Sequence, residues 1–251
     1  MSTRPPPKSL DIVIPMAGRG SRFTTAGYDR PKPLIDVSGQ PMIQRVIANL
    51  RPSFPHRFVF LVLEEHLREF ALEAKLKGWA GAESAIVPVK TVTEGAACTV
   101  LLAEKELRIE ADMVIANSDQ ILDVVLSDFI LWSRKEEADG SIMVFEDEDE
   151  KWSFARLGRT GDVVEVAEKR RISNLATAGI YYFRSGRDFV TAAEQMIAKN
   201  IRVNNEFYVC PVYNEIIQRG QRVVTWKIGK EQMHGIGTPE DLALYLRRDP
   251  C

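Results

Sequence analysis

The chain is poor in cysteine and histidine, with three of each among 251 residues. Cys98, Cys210 and Cys251 make an odd set without metal-ligand spacing, which fits a reducing compartment. Cys98 and Cys210 sit among apolar neighbours and read as packing residues rather than nucleophiles. His56 and His66 have no recognisable partners in the sequence. No apolar run approaches the length of about 20 residues that spans a bilayer, so no membrane segment is expected. Large net charge is also missing: the formal balance is −2. Such a chain has no global attraction for nucleic acid or an anionic membrane, and any phosphate recognition must come from a local site. Met1 to Ser9 is basic and proline-rich with no long apolar core behind it, which argues against a signal peptide. A flexible tail over residues 1–9 and a cytoplasmic chain are therefore expected.

What is present is ordinary globular composition, 45% hydrophobic and 27% charged, enough for a sizeable core without a metal or disulfide staple. Leu10 to Pro15 and Phe58 to Leu63 are short apolar runs that read as buried strands. Between them, Pro41 opens a helix with Ile43, Val46, Ile47 and Leu50 on one face. Leu67, Phe70, Ala71 and Ala74 mark a further helix that Gly78 can stop. Ala85 to Val89 reads as a strand, Ala96 to Leu107 as a helix and Met113 to Ala116 as a strand. This alternation predicts a mostly parallel sheet with helices on both faces.

After Gly140 four strands are expected in close succession: Ser141 to Phe145, Ser153 to Leu157, Val163 to Val166 and Ala178 to Phe183. They read as antiparallel additions. A helix over Phe189 to Ile197, another near Pro211, a strand over Arg222 to Ile228 and a last helix after Thr238-Pro239 complete the chain. No linker or repeat divides residues 10–251, so one α/β domain is expected, with a Rossmann-like central sheet.

Two familiar phosphate motifs are missing. There is no G-x-x-x-x-G-K-[ST], and Gly18-Arg19-Gly20 lacks the third glycine of the dinucleotide fingerprint. Instead Pro15-Met-Ala-Gly-Arg-Gly-Ser-Arg22 follows the first strand. Its glycines let backbone N–H groups approach phosphate oxygens, and Arg22 can fork onto two of them. In Arg30-Pro-Lys-Pro-Leu34 two prolines hold Lys32 in an extended loop.

These two segments, with Gly39-Gln-Pro41 as a helix start, resemble in order and spacing the signature of the sugar-phosphate nucleotidyltransferases. The resemblance runs from Ile12 to Leu246 and is densest at the start. It implies the nucleotidyltransferase, GT-A-like fold and transfer of a nucleoside monophosphate from an NTP to a phosphorylated acceptor. That acceptor is expected to be a sugar 1-phosphate, activated for surface polysaccharide synthesis, with pyrophosphate released.

By the same resemblance, Met16, Ala17, Gly18, Arg19, Gly20, Ser21, Arg22 and Lys32 bind nucleotide, joined by Glu94, Gly95 and Ser118. Asp119 in Ala116-Asn-Ser-Asp-Gln120 stands where relatives bind Mg²⁺, and Arg22, Lys32 and Asp119 form the expected catalytic set. Glu168, Lys169, Gly179 and Glu206 fall to the acceptor. Gly235 stands where many relatives carry a second metal-binding aspartate, and His234 beside it reads as structural or substrate-contacting.

Three rivals remain at this level. One is a cytidylyltransferase acting on a non-sugar phosphate or phosphonate. A glycosyltransferase would normally show D-x-D, whereas Asp119 stands alone. A non-catalytic nucleotide-binding regulatory protein is the third. The base, the acceptor and the oligomeric state, a homo-oligomer included, stay open. The run Glu146 to Glu150 reads as a solvated loop.

Overall fold

The computed structural model describes residues 9–248. The tail expected over residues 1–9 lies, apart from Ser9, outside them, as does Cys251. β1, Leu10–Pro15, is buried almost throughout, as a run without polar alternation requires. Because successive side chains leave a strand on opposite faces, Leu10, Ile12 and Ile14 enter one core and Val13 the other. Asp11, 1% exposed, would be costly there alone. It accepts from Arg57 Nε at 3.1 Å and from the Arg108 backbone N–H at 2.8 Å, which locks the strand's start.

β1 is the middle of the parallel part of a nine-stranded sheet. The short strands β2, Asp36–Val37, and β3, Gln40–Pro41, form a separate ribbon. β4, Arg57–Leu63, lies parallel to β1 on one side and pairs outward with β5, Ala85–Val89. On the other side β1 pairs with β6, Asp112–Ala116. After the short β7, Gln120–Leu122, come β8, Gly140–Glu146, β9, Ser153–Leu157, β10, Val163–Glu168, and β11, Leu175–Phe183. β11 docks antiparallel on β6 and carries β8 and β9, while β10 pairs antiparallel with β9. β12, Val223–Lys227, returns parallel to β8, and β13, Met233–Gly235, pairs with β7. The expected parallel sheet with antiparallel additions is thus what the chain forms. At the β10 edge, Asn214 accepts from the Val166 N–H and donates to its carbonyl, both at 2.9 Å, occupying the groups a foreign strand would need.

One face is covered by α1, Ser21–Thr25, α2, Met42–Asn49, α3, Glu64–Phe70, α4, Leu72–Ala80, and, further along, α6, Leu126–Lys135, and α9, Pro239–Arg248. The other holds α5, Ala96–Leu101, α7, Gly186–Ala198, and α8, Val212–Gln218. Three differences from the sequence reading have local causes. The helix expected near Leu67 is two helices, broken where Ala71 adopts φ 48°, and Gly81 at φ 111° ends the second instead of Gly78. α5 stops at Leu101 because the chain tightens into turns such as Ala103 N–H to Val100 carbonyl, 3.0 Å. α6 was not foreseen, although Leu126, Phe129 and Ile130 supply a buried helical stripe. Leu131 and Trp132 beside that stripe blur its period.

The feature that shapes the cleft is a bulge in β11. The register against β8 shifts between Thr177 and Tyr181, around Gly179 at φ 68°. A Cβ at this position would overlap the Asn117 side chain and come within 2.6 Å of Gln120 Oε1. Gln120 Nε2 in turn donates to the Ala178 carbonyl, and Asn117 N–H donates to the Gly179 carbonyl at 3.1 Å. The bulge and the turn after β6 are therefore one unit. Gly179→Ala is expected to lower the unfolding free energy by about 1–3 kcal/mol through the strained φ alone. Urea denaturation measures this, and an unchanged midpoint would show that the turn yields freely.

Candidate functional site

The Gly-rich segment leaves the end of β1, at the carboxyl edge of the parallel strands, where open α/β sheets receive ligands. Gly20 takes φ 63° at the start of α1, and a Cβ there would stand 2.8 Å from Lys32 Cβ. Its missing side chain is therefore what lets the Pro31-Lys32-Pro33 loop close against the first loop. Leu34 N–H to Pro31 carbonyl at 2.8 Å holds that second loop in a single helical turn.

Lys32 Nζ forms an ion pair with Asp119 Oδ2, from the turn after β6. Both are partly exposed, at 19% and 25% of their side chains. Asp119 is held from behind: its carbonyl accepts from Ile236 N–H at 2.9 Å, and Gly237 packs so closely on its carboxylate that no Cβ would fit. A basic and an acidic group thus meet across the cleft with their outer faces open.

Two adjoining cavities surround this pair. The first, about 360 Å³, is lined by the loop residues Met16, Gly18, Arg19, Gly20 and Ser21. The second, about 510 Å³, is lined by Asp119, Glu168, Lys169 and Gly179, with Tyr208 and Cys210 beside them. Arg22, Lys32, Ser118 and Glu206 line both. Arg22 and Lys32 therefore converge on one space, and among the described residues no carboxylate pairs with Arg22.

Other expected residues fall elsewhere. Ala17 is buried in the core and lines neither cavity. Glu94 points to Arg202, at 2.9 Å, and likewise lines neither. Gly95, at φ 132°, is pressed against the Phe207 backbone, whose nitrogen would lie 2.5 Å from a Cβ. Close approach is indeed what this glycine permits, but to the chain's own 203–207 turn. Phe207 N–H donates to the Glu94 carbonyl at 2.7 Å and Ala97 N–H to the Phe207 carbonyl at 3.0 Å. The segment thereby sets Glu206 at the cleft.

Glu168, at the end of β10, is 9% exposed and accepts from the Ser153 hydroxyl. Burial pushes its carboxyl above the usual range. The Ser153 hydroxyl and Lys169 oppose that rise, and Glu206 adds to it. Lys169, at φ 49°, donates from Nζ to Tyr208 Oη at 2.6 Å. Cys210 lies beneath, its thiol pushed well up by burial and then by the Glu168 charge, which leaves it an inert wall.

His234 Nε2 meets Asp123 Oδ2 at 2.7 Å and its ring packs 5.6 Å from Tyr245, a structural placement. It lines, with Gly235, a separate cavity of about 610 Å³ that shares Lys151 and Trp152 with the cleft. The acidic run is ion-paired rather than merely solvated: Glu146 meets Lys227, Asp147 meets Lys230 and Glu148 meets Arg171, at 2.6, 2.7 and 2.6 Å. Among the described residues no three His, Cys, Asp or Glu side chains are grouped to hold a metal, and no helix is long and apolar enough to cross a membrane. Sequence reasoning missed Lys151, Trp152, Ser153 and Tyr208. Only Tyr208 carried a signal, its place two residues after Glu206.

Comparison with known proteins agrees with this geometry. The nucleotidyl transferase family model matches residues 12–242. The UTP–glucose-1-phosphate uridylyltransferase AglF of Haloferax volcanii is 24% identical over 241 residues, covering 92% of this chain and 93% of that protein. The bifunctional protein GlmU of Methanococcus vannielii is 28% identical over 180 residues. That match takes in 68% of this chain but only 40% of the relative. A crystal structure of the nucleoside-diphosphate-sugar pyrophosphorylase from Vibrio cholerae RC9 superposes with a TM-score of 0.81 at 28% identity, over 94% of this chain and 99% of that one. With the family model covering nearly the whole sequence, the chain belongs to the nucleotidyl transferase family.

Proposed function

We propose that the protein transfers a nucleoside monophosphate from an NTP to a phosphorylated small molecule, a sugar 1-phosphate in the simplest case, and releases pyrophosphate. The observation that carries this reading is the convergence of Arg22 and Lys32 on the junction of two cavities, one walled by the Gly-rich loop and the other by Glu168 and Lys169. The names of the relatives, a uridylyltransferase for glucose 1-phosphate among them, support the same substrate class.

The loop cavity would take the triphosphate, with backbone N–H groups near Gly18 and Gly20 facing its oxygens. Arg22 compensates the β- and γ-phosphates, and Lys32 the α-phosphate. An oxygen of the acceptor phosphate attacks the α-phosphorus. The new P–O bond forms as the α–β bridging P–O bond breaks, and pyrophosphate carries away the electron pair. No covalent intermediate with the protein is needed. What the chain supplies is alignment of two polyanions and fixed positive charge.

Mg²⁺ fits the donor set. A hard cation accepts one or two carboxylates and takes phosphate oxygens and water for the rest. Asp119, partly exposed at the junction, is the carboxylate that would hold it, and Gly235 contributes none. Bound there, the ion neutralises phosphate charge. Lys32 pairs with the same carboxylate. Nucleotide and cation each release one partner of this pair for the other, so their binding is positively coupled.

Pyrophosphate release measured with four NTPs against a panel of phosphorylated acceptors tests the activity itself. Arg22→Ala and Lys32→Ala are each expected to lower kcat by about 10²-fold or more, the usual loss for a preorganised charge contact. Near-normal turnover in both rejects the assignment. Nucleotide binding with no release from any acceptor would favour a regulatory role. For the metal, calorimetric titration of Mn²⁺ without nucleotide should show tighter binding in Lys32→Met by roughly 2–5-fold, in keeping with the loss of a partly exposed ion pair worth up to about 1 kcal/mol. Asp119→Asn should abolish it. Equal affinity in wild type and Lys32→Met would separate Lys32 from the metal site.

A further inference from the structure

The acceptor end of the cleft holds two carboxylates, Glu168 and Glu206, that form no ion pair among the described residues. Glu168 is more than nine-tenths buried and lines the cavity, and its hydrogen-bond partner is a neutral hydroxyl, that of Ser153. Among the described residues no lysine or arginine forms an ion pair with it. Lys169 follows directly in the chain at φ 49° and its charge is felt at Glu168, but it makes no bond to that carboxylate. Its ammonium lies on Tyr208, 2.6 Å from the hydroxyl and 4.7 Å from the ring centre. Glu206 lines the same cavity, is exposed, and also has no ion-pair partner among the described residues. Its charge is felt at Glu168, and its carboxylate accepts from the Tyr208 hydroxyl, the group that itself accepts from Lys169. Lys151, a further cation of this cavity, stands 3.5 Å from Asp149 and over the Trp152 ring at 4.8 Å.

Glu168 and Glu206 therefore face one space with no ammonium or guanidinium bonded to either, while Arg22 and Lys32 of the same lining fall to the nucleotide phosphates under the proposed reading. A neutral polyol can donate a hydrogen bond to either, as Ser153 already does, yet it leaves their mutual repulsion in place. An ammonium group donates three hydrogen bonds and cancels the charge as well. We propose that the acceptor carries a cationic amine in addition to its phosphate, with Glu168 and Glu206 receiving the ammonium and Lys169 turning from Tyr208 to the phosphate. Phosphorylated amino sugars and amino alcohols share this chemistry. The proposal rests on the transferase reading for the phosphate, but amine selectivity is also legible in binding alone.

Matched acceptors test it: glucosamine 1-phosphate against glucose 1-phosphate, and phosphoethanolamine against 2-hydroxyethyl phosphate. Each is assayed for pyrophosphate release with the four NTPs and for binding by calorimetry, at neutral pH on the full chain. In at least one pair the amine should be preferred at least tenfold, and that pair tells a sugar from an alcohol. Glu206→Gln, at an exposed position that does not threaten folding, should shrink the ratio at least fivefold, and Glu168→Gln should do the same. Glu148→Gln, outside the cleft, should leave the ratio as it is. Equal use of both members overturns the amine site while leaving the transferase reading intact. Amine-selective binding without pyrophosphate release rejects the transferase reading and retains the site. A preference that survives both Gln variants, or no binding of any of the four, overturns the proposal.

Discussion

The cleft depends on one pair of opposite charges. Lys32 and Asp119 come from loops 87 residues apart and meet only because two glycines give way, Gly20 to the lysine stem and Gly237 to the carboxylate. Neither group could sit at this depth alone without a cost in desolvation. Together they hold the two loops at a fixed separation. The Gly-rich loop gains its position from the same contact, since Gly20 packs directly on the lysine it precedes by twelve residues.

This pair also explains why the site combines rigidity with availability. A fully buried ion pair would be too costly to open, and a fully exposed one would order nothing. With 19% and 25% of their side chains exposed, both partners keep a face toward the cavities. Under the proposed reading, an incoming polyanion and an incoming cation would compete for opposite members. Either alone must separate the pair, and the two together need separate it only once. The Asn117–Gln120–Gly179 unit supplies the backing for this exchange, because it ties the Asp119 turn to the bulge of β11 rather than to a mobile loop.

How much of this was legible in the sequence follows from distance along the chain. The first loop and the Pro-Lys-Pro segment lie within one short stretch, so their spacing announced them, and Arg22 and Lys32 do converge. The wall of the second cavity beyond the Lys32–Asp119 pair was legible only at Glu168, Lys169, Gly179 and Glu206. Trp152 and Ser153 enter because β9 lies between β10 and β11, an order that no local pattern reveals. Gly95 was assigned to the nucleotide, but the group packed against it is the Phe207 backbone, 112 residues later. Helix α6 was missed because apolar residues beside its buried stripe mask the period, while β1 was plain because both of its faces are buried.

Gly235 shows how an absence in the sequence acquires meaning from its surroundings. A Cβ there would meet nothing within 4 Å, so sterics do not forbid an aspartate at this position. Its neighbours are instead fixed by β13 pairing with β7 and by His234 on Asp123. The site therefore keeps the architecture that places Asp119 while offering a cation fewer protein oxygens. Under the proposed reading, phosphate oxygens must fill the coordination that the chain leaves open. Asp119 would then be the one carboxylate holding the cation, and the strength of its binding would be set by the substrate more than by the fold.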